Sequence, residues 1–269
     1  MDLGLRDRVA AVGGGTAGLG YATAEALLRE GARVFICSRS PDRVRAAVER
    51  LSAVAVDRGA PSGRVAGMAL DLSQEDDCPR FIEETEARFG RLDCLLLNTG
   101  GPPHGYALDA DDATWQRAFE TLVLSTVRLT RMAIPRMLAL GGGRILAVTS
   151  TSVRQPIPDL VLSNSLRGAV VGFLKSAANE YAARNVLINC LAPGRFATER
   201  VSSGDAVRAA SEGIPVEEIR RRSLATIPAG RYGEAAEYGA VAAFLLSFAN
   251  TYLTGSHVYC DGGQLRAVL

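Results

Sequence analysis

Seven short apolar runs alternating with longer stretches of helical periodicity constrain this chain more than any other feature. The runs are residues 8–12, 33–38, 65–70, 94–97, 145–149, 186–191 and 257–259. Their length and their Val, Ile and Leu content fit strands covered on both faces. Helical patterns fall between them at 19–29, 41–57, 75–89, 112–140, 165–183 and 234–248. Such alternation requires right-handed βαβ crossovers. The expected fold class is therefore α/β: a doubly wound parallel sheet of about seven strands with helices on both faces. No repeat or low-complexity linker breaks the pattern, so residues 1–269 read as a single domain. The stretch 196–228 stands apart, being polar and rich in Ser and Arg. Two readings of it stay open, a substrate-side insertion at the strands' carboxyl ends and a surface helical excursion.

With 48% hydrophobic residues the chain can bury a substantial core, and a net charge of +1 gives no reason to expect nucleic acid or a membrane surface as partner. Only Lys175 among the 30 basic residues is a lysine, which reads as genomic base composition because no basic cluster accompanies it. Cys37, Cys78, Cys94, Cys190 and Cys260 form an odd, scattered set without a Cys-x-x-Cys pair. That pattern argues for buried thiols in a reducing compartment and against a disulfide framework or a metal site. The N-terminus lacks a basic segment followed by an apolar one, and no apolar run is long enough to span a bilayer. A cytoplasmic location is the expectation.

The first strand runs straight into Gly13-Gly14-Gly15-Thr16-Ala17-Gly18-Leu19-Gly20 and then a helix. Glycines are needed there because the chain turns tightly, the backbone approaches a pyrophosphate, and helix and strand pack closely. The helix N-terminus presents free N–H groups and a positive dipole end to the phosphates. Strand, glycine turn and helix in that order point to a dinucleotide site and a Rossmann-type domain.

The spacing Gly14-x-x-x-Gly18-x-Gly20 resembles the classical short-chain dehydrogenase/reductase family, in particular members like 3-oxoacyl-carrier-protein reductase. Further short motifs follow in the family's order: Asp71-Leu72, Asn98-Thr99-Gly100-Gly101, Pro193-Gly194 with Thr198, Thr254-Gly255 and Asp261-Gly262-Gly263. The resemblance implies that Gly14, Gly18, Leu19, Gly20, Asp71, Leu72, Asn98, Gly100, Pro193, Gly194 and Thr198 hold a nicotinamide dinucleotide. At the end of the second strand stand Ser38 and Arg39, with no carboxylate until Asp42. A carboxylate there would bind the ribose hydroxyls of NAD, whereas an arginine pairs with a phosphate in forked geometry. NADP(H) is therefore preferred over NAD(H), although Ala17 stands where some NADP-dependent relatives carry a basic residue.

The same resemblance exposes a departure. The family's Tyr-x-x-x-Lys falls on Ser163 and Arg167, and its asparagine on Leu122; its serine survives as Ser150. In the family the tyrosine protonates the substrate oxygen, and the lysine lowers the tyrosine's pKa and holds the nicotinamide ribose. A serine hydroxyl is far less acidic than a phenol, and arginine stays protonated. The expected function is hydride transfer to or from a carbonyl or conjugated carbonyl compound. Ser150 and Ser163 would be hydrogen-bond donors, with Arg167 on the ribose or the developing anion. The alternative is a catalytically silent relative that binds dinucleotide as a sensor or structural subunit.

His104 and Tyr106, in a proline-rich loop after the fourth strand, carry groups that could replace the proton donor, but the loop reads as rigid and solvent-facing. Asn164 reads as a packing or capping residue. His257, Tyr181, Tyr232 and Trp115 read as structural, and Glu83-Glu84 and Arg220-Arg221-Arg222 as solvated helix faces. The long helical segments 112–140 and 165–183 resemble those by which family members assemble. They imply a homo-oligomer, tetramer or dimer, acting on a small molecule.

Overall fold

A computed structural model describes residues 1–57 and 61–267. Strand β1 (Val9–Gly13) is buried at every position, as a run of Val, Ala and Gly between two helix layers must be. It pairs in parallel with β2 (Arg33–Ser38) on one side and β4 (Cys94–Leu97) on the other. Adding β3 (Val65–Ala69), β5 (Gly143–Val148), β6 (Val186–Pro193) and β7 (His257–Cys260) gives one all-parallel sheet in the order β3-β2-β1-β4-β5-β6-β7. The order reverses between β1 and β4, where the loops after both strands leave a crevice at their carboxyl ends.

Helices α1 (Gly18–Arg29), α2 (Pro41–Asp57) and α9 (Ala235–Leu245) cover one face, with Leu27, Ile36, Leu51, Leu96 and Tyr238 in its core. Helices α3 (Asp77–Phe89), α4 (Asp112–Phe119), α5 (Ser125–Ala139) and α6 (Val161–Tyr181) cover the other, over Phe81, Leu95, Leu129, Ile145 and Leu174. The stretch 196–228 forms α7 (Glu199–Glu212) and α8 (Val216–Leu224). Among the described residues no helix is long and apolar enough to cross a membrane, and no cluster of His, Cys, Asp and Glu could hold a metal ion. All five thiols are free, and burial pushes those of Cys78 and Cys190 up to about 11 and about 12.

Three elements differ from the sequence expectation in instructive ways. The helix expected over 112–140 is interrupted by a single π turn at Glu120–Leu124 between α4 and α5. Helix α6 begins at Val161 rather than 165, because tertiary contacts and not a capping side chain fix its first turn. Val161 donates its N–H to Gly105 C=O (3.3 Å), and the Asn164 side chain bonds both Ile157 N–H (3.3 Å) and C=O (3.0 Å). The last helix is shorter than 234–248, starting at a capping box in which Glu234 and Glu237 satisfy each other's backbone N–H.

Candidate cofactor and catalytic site

The glycine loop after β1 has no room for a side chain at Gly14, Gly15 or Gly20. Gly14 and Gly18 have φ of +58° and +54°, in the left-handed region that glycine tolerates. A Cβ on Gly14 would lie 2.7 Å from Asn98 Nδ2, and one on Gly20 would collide with the Gly14 carbonyl. Asn98 Nδ2 donates to Gly13 C=O at 3.2 Å, so the residue expected to touch the cofactor also ties the β4 loop to the glycine loop. Helix α1 has Ala17 as its N-cap, with no side chain accepting from its first N–H groups. Leu19 sits in that first turn, and its carbonyl accepts from Thr23 Oγ1 (2.8 Å). An uncapped helix end of this kind fits a phosphate.

The end of β2 adds a second match, because Ser38 Oγ is buried without a hydrogen-bond partner among the described residues. Arg39 beside it is exposed. A cleft of about 340 Å³ runs along the loop, lined by Thr16, Ala17, Gly18, Tyr21, Arg43 and Arg50 among others. Arg50 donates to Thr16 C=O (3.3 Å) and lies over the Tyr21 ring at 4.6 Å. The two α2 arginines were not singled out from sequence; their only signal was basic residues seven apart, on one helix face. Past β3, Asp71 Oδ1 accepts from the N–H (3.1 Å) and hydroxyl (2.8 Å) of Ser73, while the Leu72 side chain is buried in the core. Pro193 ends β6, and Gly194 donates to Cys260 C=O at 2.8 Å. Thr198 caps α7 and lies against the glycine loop, its methyl 3.7 Å from where a Gly18 Cβ would be.

The catalytic candidates gather where β5 ends and α6 begins. Ser150 opens a short turn over Thr151–Val153, and its Oγ accepts from Ser152 N–H at 3.0 Å. Ser163 is buried, and its Oγ accepts from Arg167 Nε at 3.2 Å. Each hydroxyl oxygen is thus engaged as an acceptor. Arg167 also donates to Val148 C=O (2.7 Å) and Gly100 C=O (2.8 Å), bolting α6 to the ends of β5 and β4. Desolvation pushes its guanidinium down to about 10, and the nearby charge of Arg200 pushes the same way; it stays charged at neutral pH. Leu122 lies inside the π turn, is buried in the core and brings no polar side-chain atom.

The bystander residues also have definite places. His104 and Tyr106 are exposed, and His104 Nδ1 meets Asp159 Oδ2 at 3.1 Å. His257 lies in β7, with Nε2 2.9 Å from Thr149 Oγ1 and Nδ1 3.1 Å from the Tyr259 hydroxyl. Burial, helped by Arg154, lowers its pKa to about 4. Tyr232 donates to Asp205 Oδ2 at 3.1 Å. Arg221 and Arg222 pair with Glu218, and Arg222 also with Glu212, on the surface of α7 and α8.

A doubly wound sheet, a glycine loop at its switch point and hydroxyls beside a guanidinium after β5 define a dinucleotide-binding α/β protein. The enoyl-(acyl carrier protein) reductase family profile matches residues 14–264. The chain is 31% identical over 272 residues to the uncharacterized oxidoreductase YvrD of Bacillus subtilis (strain 168), covering 100% of both chains. It is 31% identical to dehydrogenase/reductase SDR family member 4 of Bos taurus, over 97% of this chain and 88% of that one. The crystal structure of L-sorbose reductase from Gluconobacter frateurii, complexed with NADPH and L-sorbose, superposes with a TM-score of 0.92 at 29% identity, covering 100% of both chains. The protein belongs to the short-chain dehydrogenase/reductase family.

Proposed function

We propose that this protein is an NADP(H)-dependent reductase of carbonyl or conjugated carbonyl compounds whose site stabilises the substrate oxyanion without a phenolic proton donor. The observation that carries the reading is the pair of hydroxyls whose oxygens are already engaged as acceptors: Ser150 Oγ by Ser152 N–H, Ser163 Oγ by Arg167 Nε. Each therefore keeps its own proton to donate to a carbonyl oxygen. Arg167 adds positive field behind Ser163. Bound nicotinamide supplies the hydride. The residues of the chain supply orientation and hydrogen bonds at the oxygen on which negative charge develops. A serine is a poor acid, so the final proton comes from water, which suits substrates whose product anion is already stabilised.

The preference for NADP(H) is supported by Ser38 and Arg39 after β2, and by Arg43 and Arg50 beside Ala17 in the neighbouring cleft. These arginines, partly offset by Glu199 at 3.9 Å from Arg43, place net positive charge next to the position that lacks it. The related L-sorbose reductase is complexed with NADPH, which agrees with that preference. The substrate is a small molecule, and the active unit is a homo-oligomer.

Titrating the purified protein with NADPH and NADH in parallel, by nucleotide fluorescence, tests the cofactor reading. NADPH is expected to bind about tenfold or more tightly than NADH, as expected where a charged phosphate gains an arginine partner. Equal affinity would remove the role of Ser38 and Arg39. Absence of binding to either would overturn the assignment. Turnover of diacetyl with NADPH then separates an enzyme from a silent, dinucleotide-binding relative.

A further inference from the structure

We infer that Asp205 is a positioning residue: with Arg195 and Tyr232 it forms a polar latch holding α7 across the crevice, and nucleotide enters and leaves when that latch opens. The second half of this inference rests on the dinucleotide reading above; the first half does not. The observation is the way α7 is attached. A surface helix usually docks by an apolar stripe. Of the fourteen residues of α7 only Asp205 and Ala209 are buried. With half-buried Val201 they stand four apart on one face, so a carboxylate occupies the centre of the docking stripe. Next to it come Ser202, Ser203 and Gly204, weak helix formers that leave α7 dependent on its docking.

A carboxylate stays buried only while it is paired. Asp205 Oδ1 accepts from Arg195 Nη2, and Oδ2 accepts from the Tyr232 hydroxyl at 3.1 Å. Both partners stand outside α7, on a fixed base. Arg195 follows Gly194 at the end of β6, and its carbonyl accepts from Gly233 N–H at 2.9 Å. Ala197 N–H returns a bond to Gly233 C=O at 2.8 Å. Between them Phe196 is buried, its ring edge-on to Tyr238 at 5.4 Å. Tyr232 precedes Gly233 in the same seam, and Arg195 and Arg220 of α8 lie over its ring at 5.2 Å and 5.6 Å. The base is thus tied by backbone bonds and ring packing, whereas α7 is joined to it by charge. Lifting α7 returns Asp205 and Arg195 to water, and the hydration regained offsets much of the attraction lost. An apolar stripe would have no such compensation. The latch is therefore specific in geometry yet releasable.

What α7 covers follows from its first turn. Thr198, its cap, has its methyl 3.7 Å from the Cβ position of Gly18 in the glycine loop. Glu199 lines the cleft along that loop and meets Arg43 of α2 at 3.9 Å. Arg200 lies against the loop after β4, its Cζ 2.8 Å from the Cβ position of Gly101. One turn of α7 therefore touches both loops that flank the crevice between β1 and β4. Asp205, about a turn and a half further on, fixes the helix in that place.

Asp205→Asn keeps the shape of the side chain and removes its charge. Hydrogen exchange read by mass spectrometry compares the amides of α7 with those of β1 and β5, and stopped-flow nucleotide fluorescence follows NADPH association and dissociation. In Asp205→Asn the amides of Glu199–Glu212 are expected to exchange about tenfold faster, the loss expected for a hydrogen bond to a charged group, with the strands unchanged. NADPH association and dissociation should both speed up by about the same factor, leaving Kd within about twofold, as when only the open fraction changes. Tyr232→Phe deletes one bond and keeps the ring, so it should give about threefold in the same direction. It carries the test should Asp205→Asn fail to melt cooperatively. Unchanged exchange in α7 would overturn the latch. So would strands loosened as much as α7, because Asp205 would then serve the fold in general. Faster exchange in α7 with unaltered NADPH rates would overturn the gate. So would a rise in Kd as large as the rise in dissociation, because α7 would then only add contacts to bound nucleotide. A wild type that binds no nucleotide would sink the dinucleotide reading and the gate with it, while exchange in α7 would still decide the latch.

Discussion

A serine at 163 and an arginine at 167 differ in what they reveal. The chain has one lysine among 30 basic residues, so an arginine at 167 follows its general habit. Its seven tyrosines show no such bias against phenols, so under the proposed alignment the serine at 163 is a change in chemistry. The proposed role rests on Ser163 Oγ accepting from Arg167, which leaves its own proton free to donate. Removing a donor aimed at a developing oxyanion costs about 10²–10³ in rate elsewhere. Ser150→Ala is therefore expected to lower kcat on diacetyl by about that factor while leaving NADPH affinity near wild type; unchanged turnover would mean that Ser150 is not at the reacting oxygen. Restoring the family pair with Ser163→Tyr and Arg167→Lys is expected to raise kcat by about 10²–10⁴, the value of general acid help. Position 163 is buried, so circular dichroism must first show that the larger ring is accommodated. A folded double variant that gains nothing would show that more than a proton donor is missing.

At the scale of elements, two buried polar devices carry stability. Arg144 on β5 is 2% exposed and has no carboxylate partner among the described residues. Its guanidinium is held instead by carbonyls of Gly143, Asn185, Ser247 and Asn250 at 2.9–3.2 Å and by the Phe248 ring at 4.5 Å. These bonds join β5 to the turns before β6 and after α9. Arg144→Leu strands four carbonyls and is expected to destabilise by about 2–4 kcal/mol in urea unfolding, with a loss under about 1 kcal/mol arguing that water replaces the guanidinium. His257 is the second device, facing Thr149, Tyr259 and Arg154. Its folded pKa of about 4 lies below its ordinary 6.5, so between those values the unfolded chain binds the extra proton. Stability contributed by neutral His257 is present above about pH 6.5 and is lost as pH falls toward about 4. His257→Asn should flatten that slope in melting scans taken across the interval.

The same scale shows what the sequence could reveal. The seven strands were legible within a residue or two because burial on both faces leaves continuous apolar runs. The start of α6 was not, since Asn164 and Gly105 fix it through space. The π turn at Glu120–Leu124 leaves no periodic trace, yet it holds Leu122, the position where the family asparagine would stand. The places of the glycine loop after β1, of Ser150 after β5 and of Ser163 and Arg167 in α6 followed from motif order and the family resemblance, while their roles stand as proposals. Arg43, Arg50 and Arg200 were not, because α2 and α7 bring them to the site only once folded.

For the molecule as a whole, the open question is what covers the outer edge of the sheet. Among the described residues strand β7 pairs only with β6, and all four of its residues are half-buried. An edge strand with a free ladder of N–H and C=O groups is a site for association unless something covers it. Just before it, Tyr252 is 96% exposed and Leu253 37% exposed, an apolar pair leading into the open edge. A closed homo-oligomer would shield edge and apolar pair together through a symmetric contact. Light scattering on the purified protein is therefore expected to give a mass that is a dimeric or tetrameric multiple of 28.4 kDa. Tyr252→Arg places a charge in that contact without touching the core, so it should shift the mass toward a smaller species while melting remains cooperative. A wild-type mass of 28.4 kDa would rule out the oligomer. An unshifted oligomer in Tyr252→Arg would move the contact away from β7 and leave the helical faces of α5 and α6 as its site.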